Sequence, residues 1–455
     1  MLLLLAACED SNGGAPGNSG DGGTFPPGAG DDGGAPPPPP GITCTAPTGA
    51  PVMHDGEITK DETWAAATPH VISGGLNVVA TLTVEPCAQI TIAPDVTVTF
   101  GLKGTLVANG TAQTPITVGA RDAGKPWAQL RAIGGAMHLA YVTFSDGGNP
   151  PSNTVPTRFG AIYTQKGSDA SAPENGLFVD HVTVKGSRSN GLMLEASAGF
   201  AAGSTTLTVS GSAAFPVRIA QNVIGTVPLG GSFSGNAPDE IVVEGRDSSV
   251  INTDQTIHVL PGGIPYRIGA DDTNGDLMVS KGSLPAALLT IEAGVTLKFK
   301  QGGSLIVEQF IQDAPATGAL NAVGNSSAMI HFVSAQATPA PGDWVGVVLN
   351  SQLDSRTSIQ FASIEFAGAI TGTIGDSCET GNAQAGIIFN HGQPSGTQVF
   401  GNSTIVSSAK HGIWRGWTGD PVELMTTNTF TSVPGCKETY PVPSMGQCPM
   451  PSPCP

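Results

Sequence analysis

Two stretches with the same apolar spacing decide the fold: Ile90–Phe100 reads ITIAPDVTVTF, and Leu289–Phe299 reads LTIEAGVTLKF. In both stretches apolar residues alternate with Thr or Lys, and both run on into a Gly-Thr-Leu or Gly-Ser-Leu step, at Gly104 and Gly303. Such alternation over short runs is typical of strands with one dry face and one wet face. Its repetition in strand-like sequence predicts stacked strand units.

The repetition continues downstream of these two stretches. The further aligned pairs are Trp127 with Trp344, Ala140–Phe144 with Ala362–Phe366, and Asn190 with His411. We therefore expect an internal duplication, with a first copy at about residues 55–196 and a second copy at about residues 253–432.

The composition favours strands and excludes several classes of partner. Only 12% of the 455 residues are charged, whereas Gly (62) and Pro (37) are abundant. Helical surfaces need Glu, Lys and Arg, and here Thr, Ser, Val and Ile take their place. A net charge of −17 argues against nucleic acid, anionic lipid surfaces and acidic polysaccharides as partners.

Two all-β architectures compete for this pattern. A β-sandwich or propeller also has short alternating strands, but signals for tight hairpins are scarce here. A right-handed parallel β-helix over residues 42–439 fits better, with stacked apolar side chains inside and Thr, Ser and Asn outside. At about 20–25 residues per coil we expect about sixteen to twenty coils.

Several motifs carry a resemblance to a known family. They are PAPGDWVGVVL (Pro339–Leu349), SIQFASIEFAGA (Ser358–Ala369), AGIIF (Ala385–Phe389) and the connector Phe215–Gly245. Over about residues 55–432 the chain resembles the right-handed parallel β-helix lipoproteins of bacterial envelopes, in the pectin-lyase-like superfamily. The shared motifs belong to turns and core, so the resemblance implies a fold and no particular activity.

The N-terminal residues resemble the end of a lipoprotein leader. Leu5-Ala6-Ala7-Cys8 is similar to a lipobox, which implies cleavage before Cys8, acylation of Cys8 with fatty acids such as palmitate, and anchoring at the outer membrane. No basic residue precedes it, so residues 1–8 are interpreted as a truncated signal with its start codon assigned too far downstream. Residues 9–41, rich in Gly and then Pro, predict a disordered linker.

Six cysteines remain after Cys8, and an even number in an exported chain predicts disulfides. Fifteen pairings are open. Position suggests one bridge near the start and two near the end, where residues 440–455 form a Pro-rich tail. The six are Cys44, Cys87, Cys378, Cys436, Cys448 and Cys454.

No catalytic residue is predicted. Galacturonan hydrolases of the superfamily carry Asn-Thr-Asp, Asp-Asp, Gly-His-Gly and Arg-Ile-Lys in that order, with carboxylates placed for inversion. Asn252–Asp254 and Asp271-Asp272 are present here, but His411-Gly412 lies far downstream and Arg267-Ile268 precedes the Asp pair. Order and spacing therefore fail.

One acidic loop is a candidate for a structural calcium ion. Asp271, Asp272, Asn274 and Asp276 alternate carboxylate and amide oxygens around a glycine, and calcium takes six to eight oxygens. The alternative is a solvated turn stabilised by its own Asp and Asn side chains. No other cofactor is expected.

Two tryptophans lie outside the repeat pattern. If Ile413 points inward, period two places Trp414 outward beside Arg415, where it could stack on a sugar ring, with Trp417 nearby. The alternative is that they cap the end of the β-helix.

We predict a non-catalytic envelope lipoprotein that binds a glycan or an envelope protein, or serves a structural role. The alternative is a polysaccharide lyase or glycoside hydrolase. A groove lined by several acidic and basic groups would favour the enzyme, and a surface of Thr, Ser, Asn and Gly would favour the binding protein.

Overall fold

Short strands form where apolar and polar residues alternate. In Thr97–Phe100 the side chains of Val98 and Phe100 are buried while the two threonines stay partly exposed, and Thr296–Phe299 repeats this pattern. One compact unit extends from Ile42 to Pro455. The computed structural model describes residues 43–168, 176–246, 249–270, 272–308, 316–372, 377–379, 381–395, 398–450 and 454–455.

Strands dominate the described residues. In chain order they are β1 (Val52–Ile58), β2 (Glu62–Trp64), β3 (His70–Val78), β4 (Thr81–Val84), β5 (Gln89–Ile92), β6 (Thr97–Phe100), β7 (Thr105–Asn109), β8 (Ile116–Ala120), β9 (Gln129–Ile133), β10 (Ala136–Ala140), β11 (Val142–Ser145), β12 (Gly160–Gln165), β13 (Leu177–Asp180), β14 (Val182–Lys185), β15 (Asn190–Glu195), β16 (Thr206–Ser210), β17 (Val217–Ala220), β18 (Gly230–Ser232), β19 (Ile241–Glu244), β20 (Gln255–Ile257), β21 (Tyr266–Ile268), β22 (Asp276–Val279), β23 (Ala287–Ile291), β24 (Thr296–Phe299), β25 (Ser304–Val307), β26 (Gly318–Val323), β27 (Ile330–Ser334), β28 (Gly346–Asn350), β29 (Ser358–Gln360), β30 (Ala362–Glu365), β31 (Ala385–Asn390), β32 (Phe400–Gly401), β33 (Thr404–Val406), β34 (His411–Gly416) and β35 (Thr429–Thr431). The helical segments are the 3-10 turns Pro156–Arg158, Gln221–Thr226 and Pro261–Gly263. Within the described ranges, no helix has the length and apolar content needed to cross a bilayer.

All pairings between these strands are parallel and join successive turns of the chain. The long ladder runs through both copies as β1, β3, β6, β9, β12, β15, β17, β19, β21, β24, β27, β30, β33 and β35. Three shorter sheets complete the coils: sheet I (β2, β4, β7, β10, β13), sheet II (β22, β25, β28, β31, β34) and sheet III (β20, β23, β26, β29, β32). In the first copy, β5, β8, β11, β14, β16 and β18 occupy the place of sheet III. The predicted all-β parallel β-helix is confirmed.

The coils are fewer and longer than the sequence analysis predicts. Among the described strands the long ladder contains thirteen pairings, which correspond to about 60 Å at about 4.8 Å per pairing. Corner loops account for the difference: the chain takes fourteen residues to pass from Ser145 to Gly160.

A single apolar cluster fills the interior from Ile58 to Leu424. Phe299 and Trp344 stack within it, with ring centroids 4.3 Å apart. Side chains from successive coils therefore share one dry column, as the alternation predicts. The column passes the junction between the copies without interruption.

The buried tryptophans correct the alignment of the two copies. Trp127 Nε1–H donates a hydrogen bond to the backbone oxygen of Ser145 at 2.8 Å. Trp344 Nε1–H donates in the same way to the backbone oxygen of Glu365, also at 2.8 Å. Ser145 and Glu365 are therefore equivalent, whereas the sequence alignment paired Ser145 with Ala367. The error of two residues leaves inward and outward positions unchanged, because the side-chain period of a strand is two.

The second copy also contains one additional strand. Two strands, β7 and β8, separate Phe100 from Trp127, but β25, β26 and β27 separate Phe299 from Trp344. As a result Trp127 precedes β9 of the long ladder, and Trp344 precedes β28 of sheet II. Downstream of the insertion, equivalent residues lie one strand position apart around the coil.

Three disulfides are present in the described chain, one near its N-terminal end and two near its C-terminal end. Their Cα–Cα distances are 5.2, 5.6 and 5.2 Å. The predicted N-terminal pairing is confirmed, and the remaining four cysteines pair among themselves as expected. Cys8 and the linker 9–41 lie outside the described residues. The bridges are Cys44–Cys87, Cys378–Cys448 and Cys436–Cys454.

Candidate functional site

The outward side of sheet II carries an apolar line between two polar lines. Inward residues such as Leu305 and Val347 belong to the core, so their neighbours along each strand point away from it. The strands stack in register, so the outward residues form lines along the helix axis. The apolar line consists of Met278, Ile306, Val348, Ile388 and Trp414.

The first polar line begins with a carboxylate. Ser304 Oγ donates a hydrogen bond to Asp276 Oδ1 at 2.5 Å, and the guanidinium of Arg246 lies 3.5 Å from Asp276 Oδ2. Ser304 is in register with Gly346 in the next coil. This side of the groove is therefore charged at β22 and has no side chain at β28.

The second polar line is a ladder of amides. Asn350 Nδ2 donates to the backbone oxygen of Glu308 at 2.9 Å, and Asn390 Nδ2 donates to Asn350 Oδ1 at 2.8 Å. Asn390 is 4% exposed, and its Oδ1 has no hydrogen-bond partner. One buried acceptor is therefore left over at the end of the ladder.

Glu308 is a structural anchor of this line. Its carboxylate accepts hydrogen bonds from Thr317 Oγ1 at 2.6 Å, from Gly318 N at 2.7 Å and from the backbone N–H of Thr317. Its φ of +76° lies in the left-handed region, which non-glycine residues rarely adopt. A carboxylate with this many donors is held in place and is a poor candidate for proton transfer.

The three lines enclose a groove of about 540 Å³. Gly302, Val345, Ile370 and His391 complete its walls. The groove therefore presents an apolar floor with hydrogen-bonding groups on both sides.

The two carboxylates of the groove are too far apart to act together in hydrolysis. Asp276 is in register with Ser304, which precedes Glu308 by four residues on the next coil. Four residues of strand span about 13 Å, whereas inverting hydrolases place their carboxylates about 6.5–9.5 Å apart. The groove can bind an extended ligand, but it lacks the carboxylate pair of a hydrolase.

The predicted calcium ligands have other partners. Arg218 donates to both carboxylate oxygens of Asp272 at 3.1 Å, and Arg158 also binds this carboxylate. Burial alone would raise the pKa of Asp272, but these guanidinium groups lower it below its usual range. Asp272 is thus held as the counter-ion of two arginines.

The other members of that loop do not converge with Asp272. Asn274 Oδ1 accepts the backbone N–H of Asp276 at 2.6 Å, and the Asp276 carboxylate faces Ser304 and Arg246. The described residues contain no group of three or more His, Cys, Asp or Glu placed to hold a metal ion. Asp271 lies outside the described residues. These contacts support the alternative of an ordinary polar turn.

The predicted glycan-stacking role of Trp414 and Trp417 is wrong. Trp414 does point outward from its strand, but it is 0% exposed and belongs to a buried apolar cluster with Ala383, against which Ala369 packs. Trp417 is 1% exposed and packs edge-on against Phe389 with ring centroids 5.7 Å apart. Neither ring face is open to a ligand.

A second cavity, of about 660 Å³, lies between Phe200–Thr206 and Gly225–Gly230. Apart from His258, its lining consists of small, hydroxyl and apolar residues. His258 Nδ1 is hydrogen-bonded to Glu292 at 2.7 Å. With one ionisable side chain, this cavity offers fewer specific contacts than the groove.

Comparisons with protein-family models, curated proteins and solved structures found no match to the chain. The functional argument therefore rests on the groove. Sequence reasoning did not single out Ser304, Ile306, Asn350 or Asn390. A usable signal was present, because β28 and β31 both end an apolar run with Asn, in VVLN and IIFN.

Proposed function

We propose that this chain is a non-catalytic, glycan-binding β-helix of the bacterial cell envelope. The observation that carries the proposal is the groove on sheet II, where an apolar floor runs between polar sides across successive coils. A sugar ring has apolar C–H faces and a rim of hydroxyl groups, so an extended glycan matches this surface along its length. Ligand sites commonly combine an apolar lining with a few placed polar groups.

The charges favour a neutral glycan. The chain has a net charge of −17, and the groove contains the two carboxylates Asp276 and Glu308 against one guanidinium, Arg246. A uronic-acid polymer would meet repulsion from both sources. Hydroxyl groups would instead find the amides of Asn350 and Asn390 and the hydroxyl of Ser304.

A polysaccharide lyase or glycoside hydrolase is the second candidate. The observation that favours it is the presence of Asp276, Glu308 and Arg246 in one groove. Against it, Asp276 is engaged by Ser304 and Arg246, and Glu308 is engaged by the backbone of the β25–β26 connection. The distance between the Asp276 and Glu308 carboxylates along the strands also argues for binding without cleavage.

The location is proposed from the sequence together with the disulfides. Three bridges fit an oxidising compartment outside the cytoplasm. The lipobox-like residues before Cys8 and the linker 9–41 suit a domain attached to the outer membrane through acyl chains. The motifs that resemble envelope β-helix lipoproteins support the same location.

Binding and cleavage can be separated by experiment. The full chain is titrated calorimetrically with soluble neutral and uronic polysaccharides, and the same mixtures are assayed for new reducing ends and unsaturated products, with and without Ca²⁺. We expect saturable binding of a neutral polysaccharide and no product. Catalytic release of product would establish the second candidate instead.

The two copies supply a matched control for the location of binding. Ile306 on the groove floor and Val107 in sheet I are outward, partly buried residues of equivalent strands. Ile306→Asp should weaken binding at least tenfold, because it places a charge against the apolar face of the sugar, whereas Val107→Asp should leave the affinity unchanged. Equal effects of the two substitutions would mean that the ligand does not bind in the groove.

A further inference from the structure

The groove on sheet II is closed at one end. Its apolar line continues from Val348 into Ile388 and Trp414, and the last two side chains are 0% exposed. Ala383 and Ala369 pack against them. The floor therefore passes beneath other parts of the chain instead of opening to solvent, and a ligand lying along it meets a wall beyond β28.

We infer that the groove receives the end of a glycan chain and not a stretch from its middle. This inference rests on the proposed function. An internal stretch has to continue in both directions, and the wall leaves only the direction toward β22. The open length, from β22 to β28, is about 10 Å, which accommodates a short terminal segment.

The hydrogen bonds of the amide ladder determine which atom faces the closed end. The backbone oxygen of Glu308 can only accept, so Asn350 presents Nδ2 to it and Oδ1 to Asn390. Asn390 must then donate through Nδ2, which leaves its Oδ1 as the unpaired acceptor. Gly416 is in register with Asn390 on the next coil and has no side chain to supply a donor.

An unpaired donor lies beside this acceptor. The indole Nε1 of Trp414 has no hydrogen-bond partner and lies 3.1 Å from the position a Cβ would take on Gly416, next to Asn390. A hydroxyl group can accept from an N–H and donate to a carbonyl oxygen at the same time. A terminal sugar has one free hydroxyl more than an internal sugar, at the position that would otherwise carry the next linkage.

Both unpaired atoms are screened from solvent in the free protein. The wall of the groove near them includes Ile370, whose side chain is 64% exposed and therefore weakly packed. A terminal hydroxyl reaches the pair by displacing the Ile370 side chain alone, while the cover over Ile388 and Trp414 still stops a continuing chain. A buried donor and acceptor are unfavourable when unpaired, so pairing them favours the bound state.

Chain-end recognition can be tested by comparing affinities expressed per chain end. The full chain is titrated with maltohexaose, cellohexaose, laminarihexaose and mannohexaose, and with a soluble polymer of each linkage. For a linkage that binds, half-saturation should occur at the same concentration of chain ends for hexamer and polymer, so that the polymer is weaker by mass in proportion to its length.

The alternative outcomes separate the two proposals. Half-saturation at equal sugar mass for hexamer and polymer would mean binding along the chain, which overturns the end-recognition inference and leaves glycan binding intact. Absence of binding to every hexamer and every polymer would overturn both.

The hydroxyl site has its own test, which does not depend on the folding of a variant. The affinity for the hexamer that binds is compared with the affinities for two capped forms. One is its methyl glycoside, which is capped at the reducing end, and the other is methylated at the linkage hydroxyl of the non-reducing end. One of the two caps should reduce affinity about tenfold, and Asn390→Leu should reduce affinity for the uncapped hexamer to a similar extent. Unchanged affinity for both capped hexamers would refute the site.

Discussion

Residues 104–109 (GTLVAN) and 303–308 (GSLIVE) make the same turn into equivalent strands, β7 and β25, yet their outward sides differ. Inside, Leu106 and Leu305 are both buried. Outside, Asn109 is exposed, whereas Glu308 is 3% exposed and anchors one side of a groove. The column constrains only the inward residues, so after duplication the outward residues could acquire a separate role.

The neighbouring coils show the same contrast. In sheet I the outward residues around Val107 are His138 and Phe178, which stack with ring centroids 4.1 Å apart at the surface. In sheet II the corresponding line is aliphatic up to Trp414 and is flanked by the amide ladder. The comparison predicts that interior substitutions act alike in the two copies and that outward substitutions do not.

The largest effect is expected in the shared interior. Trp127→Ala and Trp344→Ala each remove a fully buried indole and its hydrogen bond, and each should lower the free energy of unfolding by about 3–5 kcal/mol. Urea denaturation of both variants measures this. A loss confined to one of them would show that the two copies do not share one cooperative core.

A smaller and one-sided effect is expected when outward residues are exchanged between the copies. Glu308→Asn removes a buried carboxylate from three donors and should cost about 2–3 kcal/mol, whereas Asn109→Glu, at an exposed site, should cost less than about 0.5 kcal/mol. Asn tolerates a positive φ better than Glu does, so backbone strain does not account for the loss. Urea midpoints that shift equally for both variants would contradict the comparison.

The effect that is smallest at pH 7 grows as the pH falls. His411 and Asn190 are equivalent: each accepts a backbone N–H from the residue 25 positions later, Cys436 at 3.0 Å and Phe215 at 3.2 Å. Burial lowers the pKa of His411 to about 4. As the pH falls, this histidine is therefore protonated in the unfolded chain before it is protonated in the folded protein. The stability that His411 contributes is present above pH 6.5 and is lost as the pH falls toward 4.

His411→Asn places the residue of the first copy in the second. It should keep the hydrogen bond to Cys436 and remove about 2–3 kcal/mol of the acid sensitivity between pH 7 and pH 4. The measurement is the free energy of urea unfolding at several pH values, in comparison with the wild type. Identical pH profiles for the two proteins would mean that His411 is not buried as a neutral group.

The sequence was sufficient for features that depend on neighbours along a strand. Alternation predicted the interior column, and it also placed Trp414 correctly on the outward side of β34. It could not show that this ring is buried in a cluster with Ala383, because Ala383 precedes it by 31 residues. The arginine partners of Asp272 were hidden for the same reason, since Arg218 lies 54 positions earlier.

The groove was missed because its parts are spread over successive coils. Asn350 and Asn390 are 40 positions apart, and only the register of β28 and β31 brings their amides together. A repeated Asn at the end of an apolar run is a weak signal by itself. The two asparagines form a site only because the register of β28 and β31 places their side chains next to each other.

The two C-terminal bridges have a consequence for proteolysis. They connect Cys378 with Cys448 and Cys436 with Cys454, so each spans Lys437, an exposed residue between the buried Cys436 and Glu438. A protease that cleaved after Lys437 would produce a nicked chain whose last eighteen residues stay attached through two covalent links. The terminal coils would keep their covering until both bridges were reduced.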